Sequence, residues 1–328
     1  MEFGNPLVSF LIATYNPVRE YFLAALQSVI HQTYDRLEIV VVNDGSTVNI
    51  REMIDELNDD RIVLVDNSDN KGLTKCLNQG LAYCTGEFIA RMDDDDICEP
   101  NRIEEQVKAF VLDKSINILG CDTKVFGEET RTSHYILQST REKQQVDLFF
   151  ANASIAHPTA MLRKAFLEEY KISYNENYVK SQDYGLWVDC VQYSKINCLG
   201  KVLLNYRTHS GQASCKNRDI QTAAKNKIRL EQLHRVGISP TDDEFALHIR
   251  FCEGQLKDDY KELKALGTWI KKLKKENKRS KYFDKKTFKK TLGKKFIVQW
   301  YGALMGKEKA KKLCLGMRFL DLFFNGVL

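Results

Sequence analysis

The chain has 328 residues, 43% hydrophobic and 28% charged, which is the composition of an ordinary globular protein with room for a large core. No stretch of about 18 apolar residues occurs, so no spanning helix is expected, and the start "MEFGNPLVSFLIATYN" lacks the basic and apolar regions of a secretory leader. The net charge of +5 hides an asymmetry: residues 256–328 hold 21 Lys+Arg against 7 Asp+Glu, a net of +14, leaving −9 on residues 1–255. The nine cysteines are odd in number and form no C-x-x-C pair, which argues against a disulfide framework or a zinc site and for reduced thiols.

The first hundred residues alternate short apolar runs with helical patterns. "LVSFLIA" (7–13), "LEIVVVN" (37–43), "RIVLVDN" (61–67) and "GEFIARM" (86–92) read as buried strands. Between them, 19–32, 49–58 and 72–84 carry apolar residues at helical spacing. That alternation predicts right-handed crossovers and a parallel sheet with helices on both faces. Ligands of such sheets bind beyond the carboxyl ends of the strands. Three loops then share one rim: Thr14–Pro17, Asn43–Ser46 and Asp93–Asp96. Further on, 101–111, 141–151 and 183–194 read as helices and 116–127, 156–163 and 196–209 as strands. From 221 to 275 the signal is helical and increasingly basic.

Four aspartates in a row, Asp93 to Asp96, repel one another and need a reason. Hard divalent cations take carboxylate oxygens, and magnesium is usually held by one or two carboxylates plus substrate phosphates. A solvated loop that caps the next helix is the other reading; the spacing of an EF-hand is missing. Asp44, after the second strand, can accept hydrogen bonds from a ligand or simply form an Asp-Gly turn. Asp183 stands at the start of a helical run, as a general base or as an N-cap. Arg207 and His209 follow a strand; Arg pairs with phosphate and His can reach a metal, unless both are ordinary surface or satisfied core residues. His157 in "IAHPTAMLR" carries the same pair of readings.

Taken together, "VSFLIATYN", "SVIHQTYDRLEIVVVNDGS", "NKGLTKCLNQGL", "GEFIARMDDDD" and "QDYGLW" resemble glycosyltransferase family 2. Five motifs appear in order, from about Pro6 to Ser214, and are most similar to those of bacterial enzymes that build O-antigen and capsule repeat units. The resemblance implies a GT-A fold, an α/β mixed sheet with helices on both faces, over residues 1–220. A donor-binding part would span 1–98, an acceptor-binding part 99–220, and a basic helical extension 221–328. It implies that Thr14, Tyr15, Asn16, Asp44, Arg91, Asp93, Asp94 and Arg207 bind a UDP-sugar. Asp95, with His209, would hold Mn²⁺ or Mg²⁺, and Asp183 would be the base that deprotonates a saccharide acceptor, with inversion at the anomeric carbon. The family has a small residue where Asp94 stands.

The basic end mixes lysines with Phe, Tyr, Trp and Leu, as helices at a membrane surface do. Docking on the cytoplasmic face of the inner membrane, where a polyprenyl-linked acceptor would sit, is the expectation; a helix packed through its apolar stripe is the alternative, and nucleic acid is not an expected partner. Two other readings of the whole chain stay open. A sugar nucleotidyltransferase would need a Gly-rich basic first loop, where this chain has "ATYNPVRE"; a non-catalytic scaffold would need broken metal or base positions. A dehydrogenase would need G-x-G-x-x-G, which is missing.

Overall fold

A computed structural model describes residues 4–135, 139–209, 218–256 and 260–305. The small-residue loop after His209 and the basic end beyond Met305, both singled out in the sequence, lie outside the described residues. The chain divides into two compact units, residues 1–141 with 154–224, and residues 142–153 with 225–328.

The first unit is built on a nine-stranded mixed sheet. Strands β1 (Val8–Thr14), β2 (Leu37–Asn43), β3 (Ile62–Asp66) and β4 (Phe88–Arg91) pair in parallel in the order β3-β2-β1-β4. β1 lies in the middle and is apolar toward both faces, which is why it reads as a continuous hydrophobic run. Helices α1 (Arg19–Ile30), α2 (Ile50–Asp55) and α3 (Leu73–Tyr83) make the crossovers. α1 buries Phe22, Ala25, Leu26 and Val29, one face at three- and four-residue spacing. α3 presses so close to the sheet that a methyl group at Gly80 would stand 2.2 Å from the Leu11 side chain.

The sheet then turns mixed. β8 (Met161–Arg163) runs antiparallel to β4 and is followed by β6 (Ile118–Gly127), β9 (Ile196–Thr208) and β5 (Ile97–Cys98), with β7 (Arg131–Ser133) on β6. The strand expected over 156–163 is only its last third. His157–Thr159 forms a 3-10 turn instead, because Pro158 has no N–H for a ladder. The two-residue β5, β7 and helix α6 (Lys164–Glu169) are too short to show a period. Helices α4 (Arg102–Leu112) and α7 (Gln182–Cys190) complete this unit.

The second unit has its own core. α5 (Arg141–Phe150) places Val146, Phe149 and Phe150 with residues of α8 (Arg218–Val236), α9 (Asp242–Glu253), α10 (Tyr260–Ser280) and α11 (Lys285–Met305). The long basic helical signal is thus several helices; α9 starts at a Thr241–Glu244 capping box. The apolar stripe of α10, Leu266, Trp269, Ile270 and Leu273, is buried in this core. That stripe is packed within the unit, while Lys271, Lys275, Lys278 and Lys281 beside it are exposed. No helix among the described residues is long and apolar enough to cross a membrane. The seven described cysteines are free thiols.

Candidate active site

Three strand ends deliver the three rim loops. Thr14 and Asn43 are partners in the β1–β2 ladder, and the Asp44 N–H donates to the Thr14 carbonyl at 2.9 Å. Asn16, at φ 47°, ties the first loop to the second. Its N–H donates to Ser46 Oγ (2.9 Å), and its Oδ1 accepts from Thr47 N (2.7 Å) and Oγ1 (3.0 Å). Asn tolerates this left-handed backbone better than most residues. Tyr15 beside it is about half exposed, at 51%.

Asp44 is buried, and its carboxylate already has work within the chain. It accepts from Lys71 N (2.6 Å), Gly72 N (3.1 Å) and Asn70 Nδ2 (3.1 Å), so it fixes the loop that opens α3. Gly45 makes this possible: its φ is 70°, and an added Cβ would stand 2.3 Å from the Asp69 carbonyl carbon.

The Asp run does not act as one block. Asp94 turns to β1 and accepts from Thr14 Oγ1 at 2.6 Å. Burial and then the neighbouring Asp95 and Asp93 push its carboxyl up to about 7, partly opposed by that hydrogen bond. Asp93, Asp95 and Asp96 instead converge, with one oxygen of each within 4.8 Å of the others. Asp93 pairs with Arg91, whose guanidinium is almost wholly buried. Asp95 Oδ2 lies 3.0 Å from His209 Nε2. Asp96 is fully buried; its Oδ1 accepts from Arg207 N at 2.9 Å, while its Oδ2 has no partner. Burial, followed by the charges of its neighbours, pushes Asp95 up and Asp96 well up. Three carboxylates this close, one with a buried orphaned oxygen, fit a hard divalent cation. Asp96 is the ligand candidate that the sequence reading missed. Its position in the run was the available signal, and the turn that folds it back beside Asp93 was not visible.

Arg207 is half-buried beside this cluster. Its Nε donates to the Asp95 carbonyl (2.8 Å), and its Cζ lies 4.1 Å from the Tyr21 ring centroid and 4.5 Å from that of Phe126. Beneath the site, buried Arg102 donates from Nη2 to the Arg91 carbonyl (2.9 Å) and from Nε to Gln106 Oε1 (3.1 Å). Gln106 in turn donates to the carbonyls of Leu119 (3.1 Å) and Thr159 (3.0 Å). This polar frame holds β4, β6 and the His157 turn together, and no motif announced it.

Asp183 lies in the first turn of α7, with Ser181 at the N-cap position. Its charge reaches the phenol of Tyr174, as do those of Arg91 and Asp93. Flanking Asp183, Gln182 Oε1 and Trp187 Nε1 are buried without a partner.

A parallel half-sheet with an acidic cluster at its carboxyl edge, continued by a mixed half, defines a GT-A protein. The model of glycosyl transferase family 2 matches residues 9–171. An uncharacterized glycosyltransferase of Haemophilus influenzae is 30% identical over 250 residues, 71% of this chain and 76% of that one. The chain belongs to glycosyltransferase family 2. Among solved structures, S. aureus TarS 1–349 in complex with UDP-GlcNAc matches with a TM-score of 0.59 at 17% identity, over 93% of this chain and 89% of that one. The mannosyltransferase PcManGT from Pyrobaculum calidifontis, in complex with GDP-Man and Mn²⁺, matches with a TM-score of 0.54 at 16% identity, over 93% and 88%. At those identities the likeness establishes the fold.

Proposed function

We propose that this glycosyltransferase moves a hexose from a UDP-sugar to a hydroxyl of a saccharide acceptor, with inversion, in bacterial surface polysaccharide synthesis. The acidic cluster of Asp93, Asp95 and Asp96 carries the reading. These residues, with His209 on Asp95, would hold Mn²⁺ or Mg²⁺; a bound ion supplies positive charge to offset that of a departing diphosphate. Arg91 orients Asp93, and Arg207 holds the Asp95 carbonyl and the Asp96 carboxylate. Thr14, Asn16 and Asp44 shape the nucleoside side by holding its loops, and Tyr15 offers an exposed ring for a base to stack on.

Asp183 accepts the acceptor hydroxyl's proton as that oxygen bonds to the anomeric carbon. The bond from that carbon to the donor phosphate breaks on the opposite side, so a single displacement inverts the centre. Residues 1–98 serve the donor and 99–220 the acceptor.

The lysines of the second unit add a docking surface for the anionic inner leaflet. Lys271, Lys275, Lys285, Lys286, Lys289 and Lys290 are exposed on α10 and α11. Each contributes on the order of 1 kcal/mol near such a surface. With the stripe of α10 buried, this docking is electrostatic, and it would bring the enzyme to a lipid-linked acceptor.

Calorimetric titration of UDP into the purified protein, with Mn²⁺ and then with EDTA, on wild type and Asp95→Ala, tests the donor site. Binding that needs both the metal and Asp95 is the expected result. Binding indifferent to both, or no binding of UDP, refutes the assignment; a response to GDP alone would move the donor to a GDP-sugar.

A further inference from the structure

The turn that bonds to the Arg91 main chain carries half of a buried polar pair that the proposed reaction does not use. His157, in the turn before β8, is 8% exposed, and its Nε2 lies 2.8 Å from the hydroxyl of Tyr174, itself 2% exposed. The turn is tied directly to the acidic loop's strand, because the Arg91 N–H donates to the Ala160 carbonyl at 2.8 Å. Tyr174 is held just as firmly. The side chain of Asn78, on α3, donates to its carbonyl (2.8 Å) and accepts from its N–H (2.9 Å). Trp187, four residues after Asp183, meets the imidazole edge-on at 6.2 Å between ring centroids. Three distant segments thus converge on one imidazole–phenol pair.

The pair is neutral. Burial first, and the Arg91 charge second, hold His157 well below its usual range. Burial raises Tyr174, and Arg91 opposes that rise. Neither ring therefore adds a charge to this part of the core. Arg91 itself uses one nitrogen on Asp93, while its Nε and Nη1 are buried with no partner. The Ala160 carbonyl that ends the His157 turn is what meets the Arg91 main chain.

We propose that His157 and Tyr174 are positioning residues: their hydrogen bond fixes the turn whose Ala160 carbonyl holds the Arg91 main chain, and so keeps Arg91 on Asp93 and aims that carboxylate at the metal and the donor diphosphate. Neither touches the reacting atoms. The inference rests on the donor-site reading given above.

The test uses the full chain, MnCl₂ and UDP, with affinity by calorimetry and Tm measured in parallel. Tyr174→Phe removes one oxygen and keeps the ring, and should weaken Mn²⁺-dependent UDP binding about tenfold. His157→Leu should do the same, whereas His157→Gln, which can still pair with the Tyr174 hydroxyl, should stay within about threefold of wild type. On an Arg91→Lys background, adding Tyr174→Phe should change the affinity less than about twofold, since the pair acts through Arg91. Wild-type affinity in Tyr174→Phe, or its full effect repeated on Arg91→Lys, overturns the inference even if Tm falls. If Tyr174→Phe does not fold, the His157→Gln and His157→Leu comparison decides alone; equal affinity in those two overturns it. A wild type that binds UDP while these variants match it sinks the positioning role only. A wild type that binds no nucleoside diphosphate sinks the donor site and this inference with it.

Discussion

Replacing Asp96 by Asn separates a cation site from a structural anchor. Asn keeps the oxygen that accepts from Arg207 N, so the backbone tie at 2.9 Å survives. What disappears is one negative charge from three oxygens lying within 4.8 Å of one another. At an effective dielectric of about 20, each such pair repels by roughly 3 kcal/mol, so Asp96 faces a gross penalty of roughly 7 kcal/mol from two neighbours. Arg91 and proton uptake offset most of it, since both Asp95 and Asp96 are pushed up. A residual cost on the order of 1 kcal/mol in the metal-free protein corresponds to about 2–4 °C in Tm. Asp96→Asn should therefore melt a few degrees higher than wild type in EDTA at pH 7.5. It should also bind Mn²⁺ at least about tenfold more weakly, because a removed ligand costs no less than a removed outer-shell partner. Scanning fluorimetry and Mn²⁺ titration read the two effects. A variant that melts lower in EDTA and binds Mn²⁺ as wild type does would refute the reasoning and make Asp96 an anchor for Arg207.

Asp183→Asn should keep Mn²⁺-dependent UDP binding within about twofold and lower sugar transfer by at least a hundredfold, as measured on a panel of UDP-sugars and acceptors; loss of both would mark a structural residue. Burial raises Asp94 to about 7, so between its ordinary value and 7 the folded protein binds a proton that the unfolded chain does not. Stability of the metal-free protein should accordingly fall as pH rises from 5 to 8, and Asp94→Asn should flatten that fall; an unchanged slope in thermal melts contradicts it. Gly45→Ala puts a Cβ 2.3 Å from the Asp69 carbonyl carbon at a φ of 70° and should cost roughly 1–3 kcal/mol in chemical denaturation. A cost below about 0.5 kcal/mol would mean that the loop gives way freely. Reversing Lys285, Lys286, Lys289 and Lys290 to Glu should abolish salt-sensitive sedimentation with anionic vesicles while Tm stays near wild type; undiminished sedimentation removes this surface from the docking.

The sequence by itself determined the parallel half of the sheet and the rim on which the site lies. β1, β2 and β4 are long enough apolar runs, and α1 and α3 periodic enough, to declare themselves locally. Their order then forces Thr14, Asp44 and the Asp run to one edge, because right-handed crossovers leave no other place. Tertiary structure alone decided how the four aspartates divide their roles. Asp94 turns away to Thr14, and Asp96 folds back to join Asp93 and Asp95, a distinction of side-chain direction that residue type cannot carry. It also decided that Arg207 lies sandwiched between Tyr21 and Phe126, that Asp44 spends its oxygens on Asn70–Gly72, and that Trp269 is core. Each of those outcomes depends on a partner 26 to 186 residues away or on burial that only the packed chain supplies. The Asn78–Tyr174–His157 chain is the extreme case: three ordinary residues with no shared motif become one unit because α3, a loop and the turn before β8 meet.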